Sequence, residues 1–179
     1  MEVLRMGYTT GRHSQLGGIL LSELWNLLRK GILGNKTFIS QGTTRLCYEG
    51  ERFTPFVNLI NVSETPSVDF LKYDSVEPDL FLFHRQPYVR DGTGRHFAGN
   101  PDLIIEIWSE SNREEERSWK KLLYSTAADT EHWYFEQNSD VVERWIGKTQ
   151  LSSVTYKEKL QTVSGLELDI SDVGRYLLE

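Results

Sequence analysis

The stretch NPDLIIEIWSESN, Asn100 to Asn112, decides the fold. Leu103, Ile104, Ile105, Ile107 and Trp108 form a short run dense in β-branched and aromatic side chains, which favour a pleated, buried surface. The run predicts a core β-strand. Glu106 stands inside it. A carboxylate buried there costs several kcal/mol unless something pairs with it. Either Glu106 lies at a strand end and reaches water, or it has a partner that offsets the cost.

Upstream, EPDLFLF (77–83) predicts a second short apolar strand, started by Pro78 and carrying Asp79 at its head. If the two strands pair, Asp79 and Glu106 converge. Two convergent carboxylates repel, and a hard divalent cation is the natural way to keep both ionised. Downstream, SESNREEERSWKKLLYSTAA (109–128) predicts a helix. Ser111 or Asn112 can cap it, glutamates crowd its first turn, and lysines follow nearer its end, as the helix dipole prefers. Trp119, Leu122, Leu123 and Thr126 make its buried stripe. Lys120 lies at the edge of that stripe and can lean toward the carboxylates. Lys121 points about 100° further round, toward solvent. An aspartate, a strand glutamate and a lysine fit metal-dependent phosphodiester hydrolysis: the metal lowers the pKa of its bound water, and the lysine orients that water or offsets developing charge. On the residues alone, Glu106 can equally be one half of a structural ion pair with Lys120.

The rest of the chain frames these elements. SQLGGILLSELWNLLRKGILG (14–34) has apolar residues near i, i+3, i+4 spacing, which predicts an amphipathic helix with Ser14 as N-cap and Gly34 as stop. KTFISQGTTRLCYEG (36–50) reads as strand, turn, strand. ERFTPFVNLINVSETPSVDFLKYDSV (51–76), with two prolines, reads as irregular or edge structure, and HRQPYVRDGTGRHFAG (84–99) as a polar loop. EHWYFEQ and VVERWIG are strands around an NSD turn, and TYKEKLQTVSGLELDISDV (155–173) adds a strand or two and a closing segment. Strands cluster around two helices rather than alternating with them. The expected fold class is α+β or α/β, a mixed central β-sheet flanked by helices.

With 179 residues, 39% of them hydrophobic and 12% aromatic, the chain is expected to be a single domain over 1–179 with a proper core. One cysteine, Cys47, cannot close an internal disulfide, and no secretory leader or membrane-length apolar run is present, so a cytoplasmic protein is the default. The net charge of −6 argues mildly against broad nucleic-acid binding, but leaves open a locally basic groove or a metal-bridged carboxylate site. His84 and His96 flank a loop without zinc spacing, the GTG at Gly92 to Gly94 lacks the ending of a phosphate loop, and no nucleophile elbow occurs. Asp102, after Pro101, reads as a turn cap.

Taken in order, RHSQLGGILLSEL, EPDLFLF, NPDLIIEIWSESN, ERSWKKLLY, EHWYFEQNSDVVERW and SGLELDISDV resemble the Uma-two family of restriction-endonuclease-like proteins, within the PD-(D/E)XK nuclease superfamily. The resemblance spans roughly residues 8 to 175. It implies a restriction-endonuclease-like core. Asp79 matches the aspartate of the family's PD motif, Glu106 its strand glutamate, Lys120 its helix lysine and Tyr124 the tyrosine after it. His13 matches the histidine that opens the first helix, and Glu116 stands where an aspartate is frequent. The superfamily's usual lysine, two residues after the acid, is here Trp108; the resemblance implies that Lys120 has taken its place. The family's Ser-Pro-Ser-Thr becomes Ser109-Glu110-Ser111-Asn112, and its N-terminal ELIDGEL segment has no counterpart, so a bordering strand is expected to be absent. His132 replaces a family tyrosine and reads as structural.

The resulting expectation is an Mg²⁺- or Mn²⁺-dependent endonuclease hydrolysing DNA. Asp79, Glu106 and the Ile107 backbone carbonyl would hold the metal, Lys120 would serve the attacking water, and His13 and Glu116 are secondary candidates. The alternative is a catalytically inert binding or assembly module with the same fold; an enzyme acting on another phosphate compound is a third class. No membrane partner is expected, and aromatic residues near the C-terminal strands, such as Trp145, point to a homodimer.

Overall fold

The computed structural model describes residues 2–4, 11–41, 45–47, 73–84, 88–89, 96–98, 100–155 and 159–171. Its strands, in chain order, are β1 (Glu2–Leu4), β2 (Phe38–Gln41), β3 (Arg45–Cys47), β4 (Tyr73–Val76), β5 (Leu80–Phe83), β6 (Tyr88–Val89), β7 (His96–Ala98), β8 (Leu103–Trp108), β9 (Glu131–Glu136), β10 (Val141–Ile146), β11 (Thr149–Thr155), β12 (Leu160–Gln161) and β13 (Glu167–Leu168). The helices are α1 (Gly11–Arg29) and α2 (Glu114–Ser125).

β8 is the apolar run of the opening stretch, and all six of its residues are buried. It pairs antiparallel with β5 and parallel with β9, and α2 makes the crossover between the two parallel strands. The six-stranded sheet runs β11-β10-β9-β8-β5-β2. Successive side chains of a strand alternate faces. Leu103, Ile105 and Ile107 therefore join Leu80, Leu82, Trp133 and Phe135 in a cluster with Leu16, Leu20, Leu24 and Leu27 of α1. Ile104, Glu106 and Trp108 turn to the opposite face, where α2 lies. The sheet is thus a mixed layer with one helix on each face, the expected fold class.

A second sheet runs β1-β4-β3-β7-β6, and β12 and β13 form a small hairpin whose turn uses Gly165 at φ 89°. This sheet departs from the sequence reading in three ways. β2 and β3 are both strands but belong to different sheets. β4 is an inner strand, not an edge, and the stretch expected as a polar loop carries β6 and β7; all three are too short to show a periodic signature. β1 lies near the N-terminus and pairs with β4, where no bordering strand was expected. Residues 51–72 and the GTG of 92–94 lie outside the described residues. β11 is also unannounced in the sequence: its residues are exposed or half-buried, so it carries no apolar run.

The helix ends differ too. α1 starts at Gly11, so Ser14 is inside it, and it stops at Arg29. Gly31, not Gly34, ends it: at φ 72° it donates to the Leu28 carbonyl while Ile32 donates to that of Leu27, the paired bonds of a Schellman cap. The N-cap of α2 is Arg113, with no side-chain capping bond. Asn112 is occupied elsewhere, accepting from Ser109 N–H at 2.8 Å and closing the turn after β8. Glu114, Glu115 and Glu116 give the helix start its favourable charge. The buried face of α2 is Glu116, Trp119, Lys120, Leu123 and Tyr124, while Leu122 and Thr126 are only half-buried. No helix among the described residues is long and apolar enough to cross a membrane.

Candidate active site

The β5–β8 register sets Leu80 opposite Ile105, Phe81 opposite Ile104 and Leu82 opposite Leu103. Continued by one residue, it sets Asp79 opposite Glu106. Asp79 closes the strand pair with its own side chain, because Oδ2 accepts the Ile107 N–H at 2.7 Å. Its other oxygen, Oδ1, lies 3.1 Å from His13 Nε2, on the first turn of α1. The start of one helix and the heads of two strands therefore meet at Asp79.

Glu106 is fully buried and no strand end relieves it. Its partner comes from α2. Lys120 Nζ, also fully buried, donates to both carboxylate oxygens at 2.8 and 2.9 Å, and Tyr124 OH donates to Oε1. Residues 120 and 124 are four apart, so one helix face delivers both groups to one carboxylate. Burial pushes the Glu106 pKa up to about 7; the Lys120 charge opposes this, and nearby Asp79 raises it further. For His13, burial alone lowers the pKa, but the hydrogen bond and charge of Asp79, with help from Glu106 and the Ile107 backbone, hold it above the ordinary imidazole value.

Glu116 sits one helical turn before Lys120. Burial raises its pKa, the Lys120 charge counters, and the Asp79 charge adds to the rise. Its Oε1 is buried and has no hydrogen-bond partner among the described residues. His13, Asp79, Glu106, Glu116, Lys120 and Tyr124 thus share one electrostatic cluster.

Can this cluster hold a hard cation? Among the described residues, no three acidic, histidine or cysteine side chains stand together as a ready-made ligand set. Asp79, Glu106, Glu116 and the Ile107 carbonyl offer hard oxygen donors, the type that Mg²⁺ takes together with several waters, although both Glu106 oxygens already accept hydrogen bonds. The donors are hard oxygens, not the nitrogen and sulfur set of zinc.

Trp108, at the superfamily's usual lysine position, cannot do a lysine's work. It is stacked on Tyr134 with centroids 4.4 Å apart, and Arg117 and Lys121 lie 4.9 and 4.8 Å from its ring. Lys121 is therefore not a free solvated charge as expected. It pairs with Glu143 at 2.7 Å and also lies over the Tyr134 and Trp145 rings, because the sheet face beneath α2 is aromatic. Asp102 caps the neighbouring strand, accepting His84 N–H at 2.7 Å, which is the structural role expected for it. His132 is structural as well. Its Nε2 meets the Gly147 carbonyl at 2.9 Å, so that nitrogen carries the proton, and Nδ1 accepts from Tyr134 OH at 2.7 Å. Burial pushes its pKa down to about 4.

Sequence reasoning missed an open cleft of about 910 Å³ beside the cluster. It is lined by Gly11 and Arg12 at the start of α1, Ser109, Glu110 and Ser111 after β8, and Gln137 and Asn138 after β9. Nothing in the local sequence marks Gln137; only the parallel pairing of β8 and β9 brings their C-terminal ends together.

Comparison with known proteins bears on the fold and the family. A solved structure from Anabaena variabilis ATCC 29413, described as "a putative nuclease belonging to DUF820", shares 15% sequence identity with this chain, covering 97% of it and 86% of that protein, at a TM-score of 0.67. It is similar in fold. No curated protein matches the chain. The family profile described as "Putative restriction endonuclease" matches residues 2–171, and the chain accordingly belongs to this Uma-two family of nuclease-like proteins.

Proposed function

We propose that the protein is a divalent-metal-dependent endonuclease that hydrolyses phosphodiester bonds in DNA. The observation that carries this reading is Asp79, one residue before β5 and bonded to the Ile107 N–H, set across from Glu106 of β8, with Lys120 on the second carboxylate. Asp79, Glu106 and the Ile107 carbonyl would hold Mg²⁺ or Mn²⁺, with Glu116 as a further oxygen. When bound, such an ion supplies an activated water and screens the charge of the phosphate.

The chain's own residues do the rest. Lys120 neutralises Glu106, so a second carboxylate can be kept beside Asp79 in a dry setting. Two of its three N–H groups are spent on Glu106, leaving the third to orient an attacking water. Tyr124 fixes the Glu106 rotamer. His13, held by Asp79 and with a raised pKa, is placed to give a proton to the departing oxygen. Glu106 must be ionised to serve, and the metal competes with its proton, so metal binding weakens and activity falls as pH drops below about 7.

One observation favours a second reading. Glu106 and Lys120 are both fully buried, and both Glu106 oxygens already have donors. Those facts suit a structural ion pair in an inert binding or assembly module. Calorimetric titration with Mn²⁺ separates the two. The nuclease reading expects one site, weakened at least tenfold in Asp79→Asn, with affinity falling about tenfold per pH unit below about 7 as Glu106 takes up its proton. Absence of binding in the wild type supports the inert module.

A further inference from the structure

We infer that the cleft between the start of α1 and the ends of β8 and β9 seats one DNA strand, and that Gln137 reads a base there. This rests on the nuclease reading for its choice of ligand, but on separate residues for its site.

Three features place it. First, the cleft lining adjoins the acidic cluster along the chain at two points: Arg12 precedes His13, and Ser109 follows Ile107 by two residues. A strand crossing the cluster continues into the cleft. Second, the α1 end offers a phosphate a positive seat. The helix is 19 residues long, has no acidic residue in its first turn, and presents exposed Arg12 at its positive end. Glu110 is the opposing charge in the lining, and it accepts from Asn138 at 2.7 Å.

Third, one residue of the cleft lining carries an unsatisfied oxygen just beneath the surface, which a turn of its amide would present. Gln137 is 9% exposed, and its Oε1 is buried with no hydrogen-bond partner among the described residues. Its backbone is fixed, since Gln137 N–H donates to the Trp108 carbonyl at 2.8 Å. A buried amide oxygen left without a donor is costly. A primary amide presents one acceptor and one donor side by side, the pattern that pairs with the edge of an adenine. Phosphate seats add affinity without sequence preference, whereas a base-edge contact discriminates.

The test is fluorescence anisotropy with labelled DNA duplexes that differ at single base pairs. Ca²⁺ replaces Mg²⁺, and the Asp79→Asn protein is run in parallel, so binding is measured without cleavage. Wild type should bind with a preference at one position. Arg12→Ala should weaken binding to all duplexes about equally and lower the salt slope by about one charge. Gln137→Ala should leave the weakest duplex unchanged and cut the preference for the best by roughly tenfold. Thermal melts should show Arg12→Ala close to wild type and Gln137→Ala still fully folded at the assay temperature, since Arg12 is exposed and the Gln137 Oε1 has no partner among the described residues. Tight DNA binding that both variants retain unchanged overturns the cleft while leaving the nuclease reading intact. Binding lost in Arg12→Ala, in a protein that never cleaves, upholds the cleft and sinks the nuclease. No binding by the wild type overturns the inference.

Discussion

At the scale of single residues, the Glu106–Lys120 pair is the most consequential contact. Truncating one partner of a buried ion pair costs about 3–5 kcal/mol, because the other is left uncompensated. Lys120→Met should approach that loss at pH 8. At pH 5.5 the loss should shrink, since Glu106, already at about 7, is then neutral. Adding Glu106→Gln should recover most of the stability, as matched replacement of a buried pair is close to neutral. Urea unfolding of the single and double variants at both pH values checks this. Tyr124→Phe removes one donor from Glu106 and should cost about 1 kcal/mol. Two titrations then shape the pH response. Glu106 is raised from 4.5 to about 7, so its contribution is complete below 4.5 and lost as pH rises through about 7. His132 is lowered from 6.5 to about 4, so its contribution is complete above 6.5 and lost as pH falls toward 4. The two slopes oppose between 4.5 and 6.5. His132→Phe should expose the Glu106 slope, a fall of up to about 1.4 kcal/mol per pH unit, in the same unfolding series.

At the scale of elements, burial decides what a sequence shows. β5, β8, β9, β10 and α2 are legible because their apolar runs or stripes face the core directly. Asp79, Glu106 and Lys120 could be named from the residues because they stand just before one such strand, inside another and on the helix, whereas His13, Glu116 and Tyr124 came from the family resemblance. β1, β4, β6, β7 and β11 were not legible. The first four are two to four residues long, and β11 lies on the sheet margin with exposed polar residues. Lys121 was misread because the partner surface beneath α2, Trp108, Tyr134 and Trp145, comes from three strands distant in sequence. Gln137 was invisible for the same reason: its neighbours in the cleft come from three separate segments. Packing of α1 carries its own test. Leu20 is fully buried in the cluster that joins α1 to β5, β8 and β9, so Leu20→Ala should cost about 2–5 kcal/mol. Thermal denaturation should record that loss with little change in Mn²⁺ affinity, because the leucine faces away from Glu106.

At the scale of the whole molecule, the charge balance and the site must be reconciled. A chain of net charge −6 does not attract DNA through its average surface. On the proposed reading, attraction would be local, at the α1 end and through the cation that Asp79 and Glu106 would share. Binding should therefore depend on divalent metal and fall steeply with salt. A homodimer, checkable by light scattering, would supply two such sites to a duplex; Trp145, offered from sequence as an interface residue, is engaged within the protomer, stacked with His132 and lying under Lys121. The central claim is that this carboxylate pair cleaves DNA. Its most direct measurement is nicking of supercoiled plasmid with Mn²⁺ between pH 6 and 8 by wild type and Asp79→Asn. Nicking is expected to increase from pH 6 to pH 8, as the metal displaces the proton of Glu106, and to disappear in Asp79→Asn. Equal behaviour of the two proteins, whether both nick or neither does, would contradict it.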